Sequence, residues 1–391
     1  MAFLVALVAA FSIGHTYRTL PAALAPTLAG DLALDPWALG VYGAAFNLTF
    51  AAMQIPIGFA LDRVDLRRLV VALLTAAIAG ALLLAAANGL AALVASQVLI
   101  GIGCSGLWLA CCVHIARIRP PGDFAWISTI AAAVGSSGMF LTTTPLALVL
   151  ERAGWRVAAG LVAALTLLLV GWVALAAAGA GTRPTPGAGI AGPASLRALL
   201  AVPRVFACVL LGLVSYGSLL AIRGLWVGPF LEGVHGLSPT RAGTVAFAVS
   251  VVMIAAPLAF GYADRRGADR RALLAAAFAI AGLALVALGL ARPGIWTAAG
   301  LLVLFAASAS AFVLQYADVR AAAPEGQAGR ALSVLNLAFL IGVAGCQIGA
   351  GAMLAVLDRS LGTASAYGAA FASIGALLVA AAIAYAVLTR R

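Results

Sequence analysis

Long apolar runs dominate this chain and leave it few folds to choose from. Segment after segment reaches about 20 residues with almost no charge, the length a helix needs to cross the hydrocarbon core of a bilayer. Of the 391 residues, 64% are hydrophobic and only 9% are charged. An ordinary soluble domain is about one quarter charged, so a water-soluble fold of this size could not cover itself. In lipid, backbone N–H and C=O groups must be satisfied by the protein, and helices do this within each segment. The expected fold is an all-α membrane protein.

Twelve segments qualify as transmembrane helices: roughly 2–25, 37–61, 68–88, 90–117, 125–149, 156–179, 204–228, 241–262, 271–291, 295–318, 331–357 and 366–388. They are separated by turn signals such as Asn88-Gly89, Pro120-Pro121-Gly122 and Arg292-Pro293-Gly294. With the N-terminus inside, 16 of the 23 Arg residues fall in inner loops and 5 in outer ones. Inner loops of membrane proteins carry such an excess of positive charge, so both termini are expected to be cytoplasmic. Trp37, Trp155, Trp226 and Trp296 fall near outer span ends and Trp126 near an inner one, which predicts an interfacial belt. The absence of Lys beside abundant Ala, Gly and Arg points to a GC-rich bacterial genome, and so to a bacterial cytoplasmic (inner) membrane.

The net charge of +11 does not indicate nucleic acid, because the Arg residues are scattered between apolar runs and form no basic stripe. Cys104, Cys111, Cys112, Cys208 and Cys346 lie within apolar runs without metal-ligand spacing, so free buried thiols are expected. No nucleophile–base set, P-loop or metal motif stands out, so neither an enzyme nor a cofactor is expected. No basic region precedes the first apolar run, so a cleaved signal peptide is not expected. That run begins at once, which places the expected translation start a few residues upstream.

The two halves repeat each other. Asp62-Arg63 with Arg67-Arg68 returns as Asp264-Arg265 with Arg270-Arg271, at an offset of 202 to 203. Pro36 returns as Pro239, Gly135 and Gly138 as Gly342 and Gly345, and Glu151-Arg152 as Asp358-Arg359, at offsets of 203 to 207. Six spans per repeat make this a parallel repeat, related by an axis along the membrane normal. The expected organisation is a six-helix bundle over 1–179, a cytoplasmic linker over 180–203 bearing Pro184, Pro186 and Pro193, and a second six-helix bundle over 204–391. The Gly pairs are expected to let helices approach closely, and Thr142, Thr143, Thr144 and Pro145 to loosen the fifth span.

Gly58-x-x-x-Asp62-Arg63-x-x-x-Arg67-Arg68, with its echo Gly261, Asp264, Arg265, Arg270 and Arg271, resembles the signature loop of the major facilitator superfamily. Asp65 stands where that signature has Gly, a departure expected to loosen the turn while keeping the charges. The resemblance implies a carrier working by alternating access, with these loops gating the inner side and a central cavity lined by spans one, four, seven and ten. A narrower resemblance joins Tyr17-Arg18, Pro26 and Asp35-Pro36 to the first span of organophosphate:phosphate antiporters and sugar-acid permeases. Those carriers hold their anion between one Arg of span one and one of span seven, and here Arg223 lies in span seven.

Arg18 and Arg223 lie inside spans and are 205 residues apart. A mid-membrane Arg costs at least about 2.5–3.5 kcal/mol on insertion scales, and its fork matches carboxylate or phosphate. Snorkelling to the interface is the competing reading. His15, one helical turn before Arg18, would couple proton binding to anion binding, with His114 a second candidate. Tyr17, Trp108, Tyr216, Gln315 and Tyr316 lie on cavity spans and are candidate substrate contacts, or else helix packing. The expected function is secondary transport of a small organic anion by proton symport or exchange, from the lipid bilayer and as a monomer. Efflux of lipophilic compounds and a transporter-like receptor are the alternatives.

Overall fold

The computed structural model describes residues 1–119, 121–176, 200–324 and 328–389. The side chains at 55, 62, 121–126, 129 and 328–330 are not described. Most of the predicted linker therefore lies outside the described residues, as do the side chains of Asp62, Trp126 and Arg330.

Among the described residues the regular structure is entirely helical. Ten helical stretches are long and apolar enough to cross a membrane. One of them, Ile130–Ala176, holds two crossings, because Gly154 at φ 76° breaks it. The helix Pro36–Arg63 adds another, which gives the twelve spans expected. Spans one to three are Ala2–Asp31, Pro36–Arg63 and Leu66–Ala85. Span four is Leu90–Ile118, and spans five and six meet at Gly154. Span seven is Pro203–His235, span eight Pro239–Arg265, span nine Arg270–Leu290 and span ten Ile295–Ala322. Spans eleven and twelve are Ala328–Leu361 and Thr363–Leu388.

Packing divides the chain into two compact units. One holds Met1–Leu34, the described residues of Ala45–Gly189, and Pro239–Gly243. The other holds Asp35–Ala44, the described residues of Ile190–Ser238, and Thr244–Arg391.

Turn chemistry repeats between the halves. Asp65 accepts a hydrogen bond from the Arg68 N–H at 3.1 Å and caps span three. Asp269 accepts from the Arg271 N–H at 2.9 Å and caps span nine. Asp65 has φ −56°, so it needs no glycine conformation and anchors the turn rather than loosening it, which corrects the expectation. A carboxylate there satisfies an N–H that the helix cannot. A second pair of turns repeats too, with Gly154 at φ 76° and Gly362 at φ 77°, a region that favours glycine.

Small residues set the helix crossings. A Cβ on Gly138 would lie 1.8 Å from the Ser12 carbonyl oxygen, and one on Gly135 2.2 Å from the Phe11 ring. In the second unit a Cβ on Gly342 would lie 1.9 Å from the Leu213 carbonyl oxygen. Gly345, expected to act with it, would meet nothing within 4 Å, because its side of span eleven faces no neighbour at that level. Span five tightens to a 3₁₀ turn over Ser137–Thr142 and leaves helical geometry at Thr143, inside the Thr142–Pro145 stretch expected to loosen it. Trp37 and Trp296 are exposed as belt residues should be, but Trp155 and Trp226 are buried. The Trp155 Nε1–H donates to Asp31 at 2.8 Å, so this ring closes helix ends rather than meeting headgroups.

Gly342→Ala forces a methyl into backbone and is expected to destabilise the protein by about 1–3 kcal/mol, the range for overpacking. Gly345→Ala should change little. Thermal melts of the two purified variants in detergent check this, and equal melting points would contradict the crossing described.

Candidate functional site

Helix interruptions mark the spans that carry the candidate residues. Span four breaks between Cys104 and Leu107, and span ten between Ala309 and Phe312. The Ser105 hydroxyl donates to the Ile102 carbonyl at 2.7 Å, and the Ser310 hydroxyl to the Ala306 carbonyl at 2.7 Å. Ser105 and Ser310 are 205 positions apart, the same offset as Arg18 and Arg223. Span seven contains a π-helical turn at Ile222–Trp226. Broken helices and π turns recur where transporters and enzymes bind ligands.

In the first unit Arg18 is half-buried, with its guanidinium 4.7 Å from the centre of the Phe50 ring and 5.7 Å from that of Phe46. Such cation–π contacts hold the head group in place. His15, one turn away, lies edge-on to Phe11 at 4.8 Å, and Phe11 lies 4.9 Å from Trp108. Tyr17 is turned elsewhere: it is fully buried, with its hydroxyl 2.9 Å from that of Thr166. His114 lies edge-on to Phe3 at 4.9 Å.

In the second unit Arg223 is 1% exposed and sits within the π turn. Its Nε–H donates to the Ser250 hydroxyl at 2.9 Å, and Ser250 donates onward to the Ala246 carbonyl at 2.7 Å. Gln315 is fully buried and accepts at Oε1 from the Ser215 hydroxyl at 3.0 Å. Tyr216 packs 4.7 Å from Phe312 and 4.9 Å from Phe339. The Tyr316 hydroxyl donates to Asn336 at 3.3 Å.

At the Arg-rich ends the two signature loops differ in what can be described. In the first, Gly58 is half-buried, Arg63 lies 5.6 Å from the Phe59 ring, and Arg67 and Arg68 are exposed. The Asp62 side chain is outside the described residues. In the second, Asp264 forms a two-point ion pair with Arg270, both contacts at 2.8 Å. Arg271 donates to the Thr389 carbonyl at 2.6 Å, Arg265 is exposed, and Gly261 borders open space.

One cluster is not signalled by the sequence motifs. The Asp318 side chain is fully buried and ion-paired with Arg204. It also accepts from the Tyr385 hydroxyl at 2.7 Å and the Cys208 thiol at 3.0 Å. The signal was its position three residues after Gln315, on the same helix face.

The sequence profile of the Major Facilitator Superfamily matches residues 3–346. The chain belongs to that superfamily. Solved structures of superfamily-like carriers superpose on nearly all of it. A bacterial homolog of the human lysosomal transporter Spinster, in an inward-facing and occupied conformation, matches with a TM-score of 0.76 at 20% identity, covering 99% of this chain and 96% of the other. The same homolog, inward-facing and unoccupied, gives 0.75 at 18% identity, with 99% and 96% coverage. A D323A mutant of the nucleoside transporter NupG gives 0.79 at 12% identity, covering 100% of both chains. These identities establish the shared fold. No curated protein sequence matches the chain. As a superfamily member it is an integral membrane transporter of small molecules in a lipid bilayer.

Removing one partner from a buried ion pair strands the other and costs about 3–5 kcal/mol. Arg204→Ala is therefore expected to lower the melting point sharply, whereas Arg204→Met with Asp318→Leu together should recover part of the loss. A double variant no more stable than the single one would show that the pair is not what holds these spans.

Proposed function

We propose that this transporter carries a small organic anion by proton symport or exchange, with Arg18 and Arg223 engaging the negative group. The observation that carries this reading is Arg223, a guanidinium 1% exposed inside an apolar span and seated in a π turn. Its Nε–H donates to the Ser250 hydroxyl, which orients the fork. Placing a charge so deep is costly and marks function by default. Arg18 supports the reading from the repeat-related position, held against Phe50 through a cation–π contact. Gln315 adds an amide within the second unit's buried polar group.

His15 is the proposed proton-coupling residue, since it lies on the same face as Arg18 and packs against Phe11. The Asp62 and Asp264 loops are proposed as inner gates. Arg-rich loops favour a cytoplasmic location for both termini, in a bacterial cytoplasmic membrane. A monomer is the proposed working unit.

Arg18→Ala and Arg223→Ala are each expected to abolish uptake into proteoliposomes while the purified protein stays monodisperse. Full transport of organic anions by both variants would remove the proposed site. His15→Ala should flatten the dependence of uptake on pH, and an unchanged profile would reject its coupling role.

A further inference from the structure

The two units share an arrangement that the proposed anion site does not use. Phe11 precedes Arg18 by seven residues, and Tyr216 precedes Arg223 by seven. Seven residues are about two helical turns, so in each span the backbone positions of ring and Arg lie on nearly the same side, about 10 Å apart along the axis. Phe11 and Tyr216 are themselves 205 positions apart, the offset of the two Arg residues and of the two serine breaks. Each of these rings packs against a second ring just past the break in span four or ten. Phe11 lies 4.9 Å from Trp108, and Tyr216 lies 4.7 Å from Phe312. All four rings are only half-buried, so part of each remains available for contact.

Aromatic pairs at these separations already gain from offset or edge contact and present a flat polarisable surface to a further ring. In the first unit His15 lies on the helix face between ring and guanidinium, edge-on to Phe11. In the second, Gln315 of span ten bonds Ser215, the residue before Tyr216, and its Nε2–H₂ donor is buried and meets no acceptor among the described residues. A buried donor of this kind calls for an acceptor.

We infer that the cargo is an aryl or heteroaryl carboxylate, its carboxylate held by Arg18 or Arg223 and its ring lying against the Phe11–Trp108 or Tyr216–Phe312 pair. This rests on the anion reading and narrows it. Inorganic phosphate and acetate are too short to touch both features. A ring joined to a carboxylate through a short linker spans the separation.

The experiment is a thermal-shift titration of the purified full-length chain. The probes are phenylacetate, 3-phenylpropionate and indole-3-acetate, against acetate, succinate, inorganic phosphate, glycerol 3-phosphate and benzyl alcohol. The aryl carboxylates are expected to raise the melting point in a saturable way, since a ligand of the native state stabilises by mass action. Phosphate, acetate and benzyl alcohol should not. Phe11→Ala or Tyr216→Ala, at whichever pair takes the aryl group, should weaken phenylpropionate binding about tenfold, a size set by the loss of one aromatic contact, and weakening by neither variant overturns the inference. Where Phe11→Ala weakens binding, quenching of Trp fluorescence by indole-3-acetate should also fall in Trp108→Phe. A shift from succinate or phosphate with none from aryl carboxylates overturns the ring assignment and leaves the anion reading standing. Shifts from benzyl alcohol alone overturn both, and no shift from any aryl carboxylate overturns the inference whatever else binds.

Discussion

A peptide group in hydrocarbon has no water to bond, so every interruption of a membrane helix has to be repaired from within the protein. The breaks in spans four and ten meet that condition through Ser105 and Ser310, each turning its hydroxyl back onto a carbonyl of its own helix. The π turn of span seven meets it by shifting the register of the ladder over Ile222–Trp226. Repaired this way, a span can bend or widen without an orphaned group. It can then present side chains at angles that a straight helix would not allow. The candidate residues cluster beside these repairs: Trp108 and Phe312 just beyond the serines, Arg223 inside the π turn. Span one reaches a comparable result with Pro21 and Pro26 inside an otherwise continuous helix.

The close glycine crossings supply the rigid part of the design. With Gly138 against Ser12 and Gly342 against Leu213, the backbones of spans five and one, and of eleven and seven, approach nearly to contact. Hydrocarbon tails offer no hydrophobic drive for helices to associate, so van der Waals contact and hydrogen bonds must hold them. Thr16 adds such a bond, donating to the Gly138 carbonyl at 2.9 Å. Spans nine and twelve use the same device, with a Cβ on Gly289 falling 2.2 Å from the Gly368 carbonyl oxygen. Within each unit the spans that bear the Arg residues are thus fixed along one face by glycine.

The number of spans and the repeat could be read from the sequence because they rest on length, charge and offset, which need no partner. Turn residues were legible for the same reason, though Asp65 was weighed against a family pattern instead of as a cap. An Asp ahead of an apolar helical run is a capping signal in its own right, and Asp269 repeats it. The serine breaks were not legible. Ser310-Ala311 has ordinary helical composition, and nothing in its neighbours demands a kink. The Asp318 cluster was not legible because its meaning lies in Arg204, Cys208 and Tyr385, which come from two other spans far away in sequence. Trp155 was misjudged in the same way, since Asp31 is distant along the chain.

Asp318 and Arg223 are both buried charges in apolar spans, and different groups meet them. Asp318 gathers Arg204, Tyr385 and Cys208 around one carboxylate, so its charge is matched inside the second unit. A charge so matched serves as a fastener among spans seven, ten and twelve, because exchanging its partners would strand an ion. Arg223 is met at Nε by the Ser250 hydroxyl, a contact that sets the direction of its fork. Arg270 is held at two points by Asp264, whereas the Arg18 guanidinium lies against the Phe50 and Phe46 rings. A carboxylate locks a cation into the helix packing, while a hydroxyl or a ring face sets where its head group points.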